Sequence, residues 1–349
     1  MIILAIESSC DETGLALLEI KTSKGKNPSF KVLGNVLNSQ IDIHMITHGV
    51  VPEVAARRHV EMFPHLVNEL IKKSKIKLQD IDLIAVTNGP GLIGSLLVGI
   101  EAAKTLAATL NKPLIGINHL KAHLHANYFN LQTNKIEDIK YPALALLISG
   151  GHTELIKLDS MNKFTVIGDT LDDAIGESFD KVARLLKLPY PGGPSIAKLA
   201  LTGNDLGFKL PLPLKTQAGF NFSYSGLKTS VRTLVVTNKV TTEQLKSDLA
   251  ASFQRTAIEH VLDKTFKAVK SLRAQTLIVA GGVSANKYLR ERLNSTFAPE
   301  LTVKIPEFFL CTDNALMIAM SAAIEYLNNP KKVMKSDWRK IKVDPGLNI

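Results

Sequence analysis

Apolar runs and alternating stretches divide the chain into two similar series of elements. Residues 2–6, IILAI, form an apolar run that predicts a buried strand. The polar turn ESSCDETG follows and leads to strands over 15–20 and 30–38, joined by a polar hairpin loop containing glycine and lysine. A helical period covers 54–73, with Pro64 tolerated near a helix start or at a kink. An apolar strand over 81–87 ends in NGPGLIGS and runs into a helix through Leu110, after which PLIGI predicts another strand. Glycines at such a strand-to-helix turn let a ligand approach backbone amides at the helix start.

The second half repeats this order. A strand over 144–148 meets the turn SGGHTE, strands follow at 155–158 and 164–167, and a helix covers 245–270. LIVAGGVSANKYLRERL, from Leu277, is the second strand-turn-helix, and a strand at 301–305 precedes a helix that opens with CTDNALMIAM. Three strands, a helix, and two further strand-helix pairs, occurring twice, predict an α/β fold of two lobes related by pseudo-symmetry. Ligands in such sheets sit at the carboxyl ends of strands, so the expected site is the inter-lobe cleft.

Composition narrows the setting. The 349 residues suffice for two cored domains, and 45% hydrophobic with 21% charged residues describes an ordinary globular protein. A net charge of +10, with basic clusters at 21–31, 72–77 and 331–342, suits a polyanionic partner such as nucleic acid, although a solvated basic surface has the same composition. Two cysteines, Cys10 and Cys311, make no disulfide framework and point to a reducing compartment. Neither a signal peptide nor an apolar run of membrane-spanning length is expected, so the chain reads as cytoplasmic, with no membrane partner.

The stretch NHLKAHLHANYF, from Asn118, carries the first candidate chemistry. On a helix His119 and His123 stand four residues apart and share a face, while His125 turns away from it. The spacing alone is weak, since His44 and His48 repeat it. The duplication supplies a third ligand, because Asp313 begins the helix of the second lobe that is equivalent to the histidine helix. Two histidines and a carboxylate make a site for Zn²⁺ or Fe²⁺ with open positions for a substrate. Asp313 also reads as a plain helix N-cap, and Cys10 and Cys311 as alternative ligands or small buried residues.

Ten colinear motifs then become specific: ESSCDET, HGVVPEVAARRH, NGPGLIGSLLVG, HLKAH, LISGGHTEL, DDAIGESFDKVARLL, YPGGP, FSYSGLKT, AGGVSAN and CTDNALMIA. Together they resemble the TsaD family of tRNA N6-adenosine threonylcarbamoyltransferases, in its bacterial or organellar branch. The resemblance implies a duplicated, two-lobed fold of the actin, Hsp70 and sugar-kinase type. The expected lobes are 1–130, with 315–349 packing back on it, and 131–314, with a helical insertion at about 171–235. The implied reaction transfers threonylcarbamoyl from threonylcarbamoyl-AMP to the exocyclic amine of adenosine 37 in tRNAs reading codons that begin with A. Metal ligands carry over onto His119, His123 and Asp313, with Fe²⁺ ahead of Zn²⁺. Substrate contacts carry over onto Leu147, Ile148, Ser149, Gly150, Gly151, Asp180, Gly193 and Asn286. The amides of Ser149, Gly150 and Gly151 suit a phosphate or carbonyl oxygen, Asp180 can accept from ribose hydroxyls, and Asn286 can donate and accept. Asp11 and Glu12 are candidates for handling the proton of the attacking amine. Implied partners are a TsaB-like paralogue and a TsaE-like ATPase, or a second copy of the chain in the organellar type.

Three rival functions have weaker support. A metalloprotease needs a base beside the metal, yet Leu120 follows His119 and no glutamate lies between the histidines. A nucleotide-binding ATPase or scaffold of the same fold needs a glycine-containing phosphate turn after the first strand, where ESSCDET has none before Gly14. A non-catalytic paralogue would not need intact metal and substrate motifs.

Overall fold

The computed structural model of the chain describes residues 1–23, 26–237 and 239–349; the tip of the expected first hairpin, Lys24 and Gly25, lies outside them. The chain divides into two compact units, Met1–Asp138 with Thr312–Ile349, and Ile139–Cys311.

In the first unit, strands β1 (Ile2–Glu7), β2 (Glu12–Ser23) and β3 (Lys26–Ser39) precede helices α1 (Ile41–Ile46) and α2 (Pro52–Ser74). Next come β4 (Leu83–Gly89), α3 (Ile93–Leu110), β5 (Leu114–Asn118), α4 (His119–His125) and two short strands, β6 (Phe129–Asn130) and β7 (Lys135–Ile136). The sheet order is β5-β4-β1-β2-β3-β7-β6, with β1 parallel to β4 and β4 parallel to β5. The unbroken apolar runs of β1 and β4 are explained by this position, since interior parallel strands are buried on both faces. Pro64 sits inside α2 without ending it.

The second unit begins with β8 (Ala143–Ile148), β9 (Thr153–Ser160) and β10 (Lys163–Gly168). Helices α5 (Ile175–Leu185), α6 (Gly192–Ala200) and α7 (Ser225–Val236) are inserted before the long α8 (Glu243–Leu272). Then follow β11 (Thr276–Ala280), α9 (Lys287–Phe297), β12 (Thr302–Lys304) and α10 (Phe308–Cys311). Its sheet order, β10-β9-β8-β11-β12, is that of the first five strands of the other unit, so the duplication read from the sequence extends to sheet topology.

The last helices are α11 (Ala315–Asn328) and α12 (Pro330–Met334). Every residue of α11 from Ala315 to Ile324 is buried, and the helix packs on β1, β2 and α4 of the first unit. A helix apolar on all sides needs such enclosure. Asp313 therefore groups with the first unit, two residues before the segment 315–349 expected to pack there, and not with 131–314.

One further expectation changes. Helix α3 is long and apolar enough to cross a membrane by length and composition, contrary to the absence of any such run expected from the sequence. Its Leu96, Ile100, Ala103 and Ala107 are buried in the core with Leu4, Ile6 and Val86, so one face of the helix belongs to that core.

The turn after β11 depends on backbone freedom at one glycine. Gly281 has φ +89°, and a Cβ there would run into the carbonyl oxygen of Ile148, whereas a Cβ at Gly282 meets nothing. Gly281→Ala is expected to destabilise the fold by about 1–3 kcal/mol, from left-handed strain and the clash. Gly282→Ala should be neutral or slightly stabilising, by about 0.5 kcal/mol. Urea unfolding of the two variants checks the contrast.

Candidate active site

The histidine helix α4 starts at the carboxyl end of β5, where the Asn118 side chain accepts the Lys121 N–H at 3.0 Å and caps the first turn. One turn apart on this helix, the rings of His119 and His123 meet edge to face with centroids 4.8 Å apart. Both aim Nε2 at one oxygen: Asp313 Oδ1 lies 3.3 Å from His119 Nε2 and 3.2 Å from His123 Nε2. Asp313 is free to do this because its neighbour Asn314 caps α11, accepting the Met317 N–H at 2.9 Å. The N-cap reading of this segment thus falls to Asn314.

Behind His119 stands a residue that the sequence reading did not single out. Glu7, at the end of β1 and 0% exposed, has Oε2 3.2 Å from His119 Nδ1. Thr87 Oγ1 donates to the same oxygen at 2.5 Å, and the Ser9 N–H donates to Oε1 at 2.6 Å. A carboxylate can only accept, so it fixes a hydrogen on Nδ1 and turns Nε2 toward Asp313. His123 lacks such support, its Nδ1 being buried without a partner among the described residues.

This donor set fits a divalent cation. The ligand atoms of His119, His123 and Asp313 lie within 4.8 Å of one another. Bonds of about 2.0–2.2 Å place neighbouring ligands a little over 3 Å apart, as found for the two nitrogen–oxygen pairs. A carboxylate behind a ligating histidine is the usual support of such sites. Among the described residues no other group of three or more histidines, cysteines, aspartates or glutamates gathers in this way, so His44 and His48 acquire no third ligand and neither cysteine joins the cluster. His125 points elsewhere, with Nδ1 2.9 Å from Ser321 Oγ.

Charge sets the protonation state without a cation. Burial works against a charged His119, but the carboxylates of Asp313 and Glu7 outweigh it and hold the ring protonated well above the ordinary histidine range. Burial also opposes the charge on Asp313, and His119 and His123 reverse that, holding it far below the usual carboxylate range. Glu12, on β2, is pushed up to about 10 by burial, then by Asp313 and by Asp11, with which it shares a hydrogen bond. Glu12 is therefore a neutral carboxyl around pH 7 in the metal-free chain. Asp11 is buried beside it.

The glycine turn NGPGLIGS serves the chain itself rather than a ligand. A Cβ at Gly89 would strike the Asp344 carbonyl, and one at Gly91 the Ser9 carbonyl. The Gly91 N–H donates to Pro345 O at 3.2 Å and the Leu92 N–H to Ser9 O at 2.8 Å. The two amides that precede α3 are thus used within the chain.

In the second unit the candidates Leu147 to Gly151 and Asn286 follow the carboxyl ends of β8 and β11, which run parallel with Leu147 opposite Ala280, while Asp180 and Gly193 lie on α5 and α6. Leu147 and Ile148 are buried strand residues, and the exposed turn at Gly150 and Gly151 has open space where Cβ atoms would be. Two of the three amides proposed to face a ligand are already engaged: Ser149 N–H donates to His152 O at 2.9 Å, and Gly151 N–H to Ser149 Oγ at 3.3 Å. The α5 backbone closes on this turn through Gly176, whose N–H donates to Ser149 O at 3.2 Å. Asp180 accepts the Gly192 N–H at 2.7 Å and secures the start of α6, leaving Gly193 with open space around it. Burial raises the Asp180 carboxyl above its usual range, against the Gly192 hydrogen bond. Asn286 is used at both ends, capping α9 at Leu289 N–H, 3.0 Å, and donating to Gln254 Oε1 at 3.0 Å.

The chain is similar to known proteins. A family model described as TsaD, tRNA N6-adenosine threonylcarbamoyltransferase, matches residues 31–320. The chain belongs to this family. A Thermosipho melanesiensis protein of the same name is 49% identical over 322 residues, 92% of this chain and 94% of that one. Its Thermosipho africanus counterpart is 46% identical over 351 residues and the whole of both chains, and that of Bacillus subtilis 46% over 329 residues, 93% of this chain and 91% of that one. This membership makes the chain a transferase. Among solved structures, full-length HypF in a phosphate- and nucleotide-bound form aligns with TM-score 0.58 at 14% identity, over 94% of this chain and 56% of that one. The activator of 2-hydroxyisocaproyl-CoA dehydratase from Clostridium difficile aligns with TM-score 0.52 at 14% identity, over 97% and 100%. These two likenesses concern the fold.

The cluster generates two predictions. His123→Ala should abolish stoichiometric metal and His125→Ala retain it, while Glu7→Gln should weaken metal binding about 10–100-fold, as loss of a supporting carboxylate does; elemental analysis and competition with a chromogenic chelator check all three. Binding at Nε2 must also displace the proton that Asp313 and Glu7 stabilise on His119. Because that proton is held above the ordinary histidine value of about 6.5, affinity for Zn²⁺ should still be rising with pH between about 7 and 8. Metal titrations at several pH values test this, and a flat profile above pH 7 contradicts it.

Proposed function

We propose that the chain transfers the threonylcarbamoyl group from threonylcarbamoyl-AMP to the exocyclic amine of adenosine 37 in tRNAs reading codons that begin with A. What carries this reading is near-full-length similarity to relatives of that name, with the His119, His123 and Asp313 triple intact. In the reaction the amine attacks the carbamoyl carbon, the bond from that carbon to the phosphate oxygen breaks, AMP leaves, and the amine loses a proton.

His119, His123 and Asp313 would hold a divalent ion, Fe²⁺ ahead of Zn²⁺, with Glu7 orienting His119, and such an ion would supply Lewis-acid stabilisation of developing negative charge. Asp11 accepts the proton of the attacking amine, and the neutral Glu12 carboxyl beside it donates a hydrogen bond. The turn at Gly150 and Gly151, open where Cβ atoms would be, admits the adenylate, Leu147 and Ile148 fix the base of the turn, and Ser149 holds its shape. Asp180, one of whose oxygens holds the Gly192 N–H, contacts the substrate with the other, and Asn286, whose amide caps α9 and reaches Gln254, contacts it from the GVSAN turn. A TsaB-like paralogue and a TsaE-like ATPase, or a second copy of the chain, complete the reading, in the cytoplasm.

The decisive assay supplies threonylcarbamoyl-AMP and unmodified tRNA and measures the modified nucleoside by mass spectrometry. Product is expected with the chain alone or with a TsaB-type partner; none in either case removes the transferase reading and favours a nucleotide-binding scaffold. Gly151→Ala should leave the melting temperature unchanged while raising KM for the adenylate severalfold, because its methyl group meets only what occupies the turn.

A further inference from the structure

The motif HGVVPEVAARRH contributes nothing to the metal cluster, yet it runs into α2 and ends on a histidine, His59. The buried stripe of α2 is Ala55, His59, Leu66 and Leu70, so a polar ring stands where the helical period calls for an aliphatic side chain. His59 is wholly buried. Enclosing an imidazole there costs free energy unless its nitrogens are satisfied, and both find partners in ESSCDET, the turn from β1 into β2. Nε2 lies 3.0 Å from Cys10 O, and Nδ1 lies 2.7 Å from Thr13 Oγ1.

These contacts select one form of the ring. A carbonyl oxygen only accepts, so Nε2 carries the hydrogen. Burial holds His59 below the ordinary histidine range and therefore neutral at pH 7, which leaves Nδ1 bare to accept the Thr13 hydroxyl. Cys10 O also accepts the Ser95 hydroxyl at 3.0 Å, from α3. With donors from two helices on its carbonyl, the peptide plane between Cys10 and Asp11 is held against rotation. That plane sets the direction in which the Asp11 side chain leaves the backbone. The far side of Asp11 is held as well: its carbonyl accepts the Gln40 N–H at 3.1 Å, and the Gln40 side chain donates to Ala55 O at 3.3 Å, one turn before His59 on α2.

The two residues gripped by His59 thus bracket Asp11 and Glu12. The geometry points to His59 as a positioning residue for Asp11, working through the Cys10 carbonyl and the Thr13 hydroxyl without meeting the substrate itself. A histidine kept only to fill the core would have no need to place both nitrogens on this one turn. The inference rests on the proposed role of Asp11 as acceptor of the amine proton.

The test follows the single-turnover rate of transfer to unmodified tRNA at saturating threonylcarbamoyl-AMP, with a TsaB-type partner present, beside KM for the adenylate and the melting temperature. His59→Ala should lower the rate about 10–100-fold, as a misplacement of about 1 Å does, and change KM less than about twofold. Two amide replacements divide the contacts. The amide nitrogen of glutamine reaches the place of the histidine Nε2 and still donates to Cys10 O, whereas that of asparagine is too short to do so and its oxygen meets only the Thr13 hydroxyl. His59→Gln should therefore keep most of the rate and His59→Asn should fall toward His59→Ala, and this pair decides the matter if His59→Ala unfolds. In an Asp11→Asn background, His59→Asn should slow transfer little further, because it acts through Asp11. If the glutamine and asparagine variants transfer equally fast, or if the losses from His59→Asn and Asp11→Asn multiply, the positioning role is overturned while the role of Asp11 stands. If Asp11→Asn alone transfers at the wild-type rate, the role of Asp11 fails and the positioning inference with it.

Discussion

A carboxylate at the end of a central β-strand, wholly removed from water, has to be matched by hydrogen bonds and positive charge, and the first unit is arranged around that requirement. Glu7 receives the Ser9 amide, the Thr87 hydroxyl and His119, so the carboxyl ends of β1, β4 and β5 are tied at one point. His119 then stands between two carboxylates, and Asp313 is drawn to it from α11, far along the chain. The same pairing that makes Glu7 tolerable in the core gives His119 one tautomer and one orientation. A metal centre built on it is preorganised by the sheet rather than by a loop.

How much of this was legible in the sequence depended on distance along the chain. The helical period placed His119 and His123 together and turned His125 away, and both follow from local geometry. Asp313 was reached through the repeat, although its helix packs on the first unit rather than completing the second. Sheet order repeats in the two halves, but α11 departs from the symmetry, because a helix apolar on every side is stable only where both β1 and β2 can cover it. Glu7 was hidden because nothing in IILAIESSC distinguishes a strand-end glutamate that supports a histidine more than a hundred residues away from one that merely begins a turn.

Glycines illustrate the same limit. NGPG and SGGH look alike as strings, and both follow buried strands. In the first unit the glycines make room for the backbone at Ser9 and for the C-terminal segment, whereas Gly150 and Gly151 make room for nothing within the chain. A pattern of residues reveals that close approach is needed without revealing what approaches. Likewise Asn286 and Asp180 were legible as polar groups at a turn, but their internal hydrogen bonds follow from which helices begin beside them.

The C-terminal segment also reaches the histidine helix. The Asp344 N–H donates to Asn88 O at 2.8 Å, and the Asn118 side-chain amide donates to Asn348 O at 2.9 Å. Asn118 is the same residue whose oxygen caps α4. One side chain thus ties the last residues of the chain to the helix that carries His119 and His123. An affinity tag or fusion partner appended after Ile349 would pull on that asparagine, so tag placement is itself a variable in any measurement of metal content.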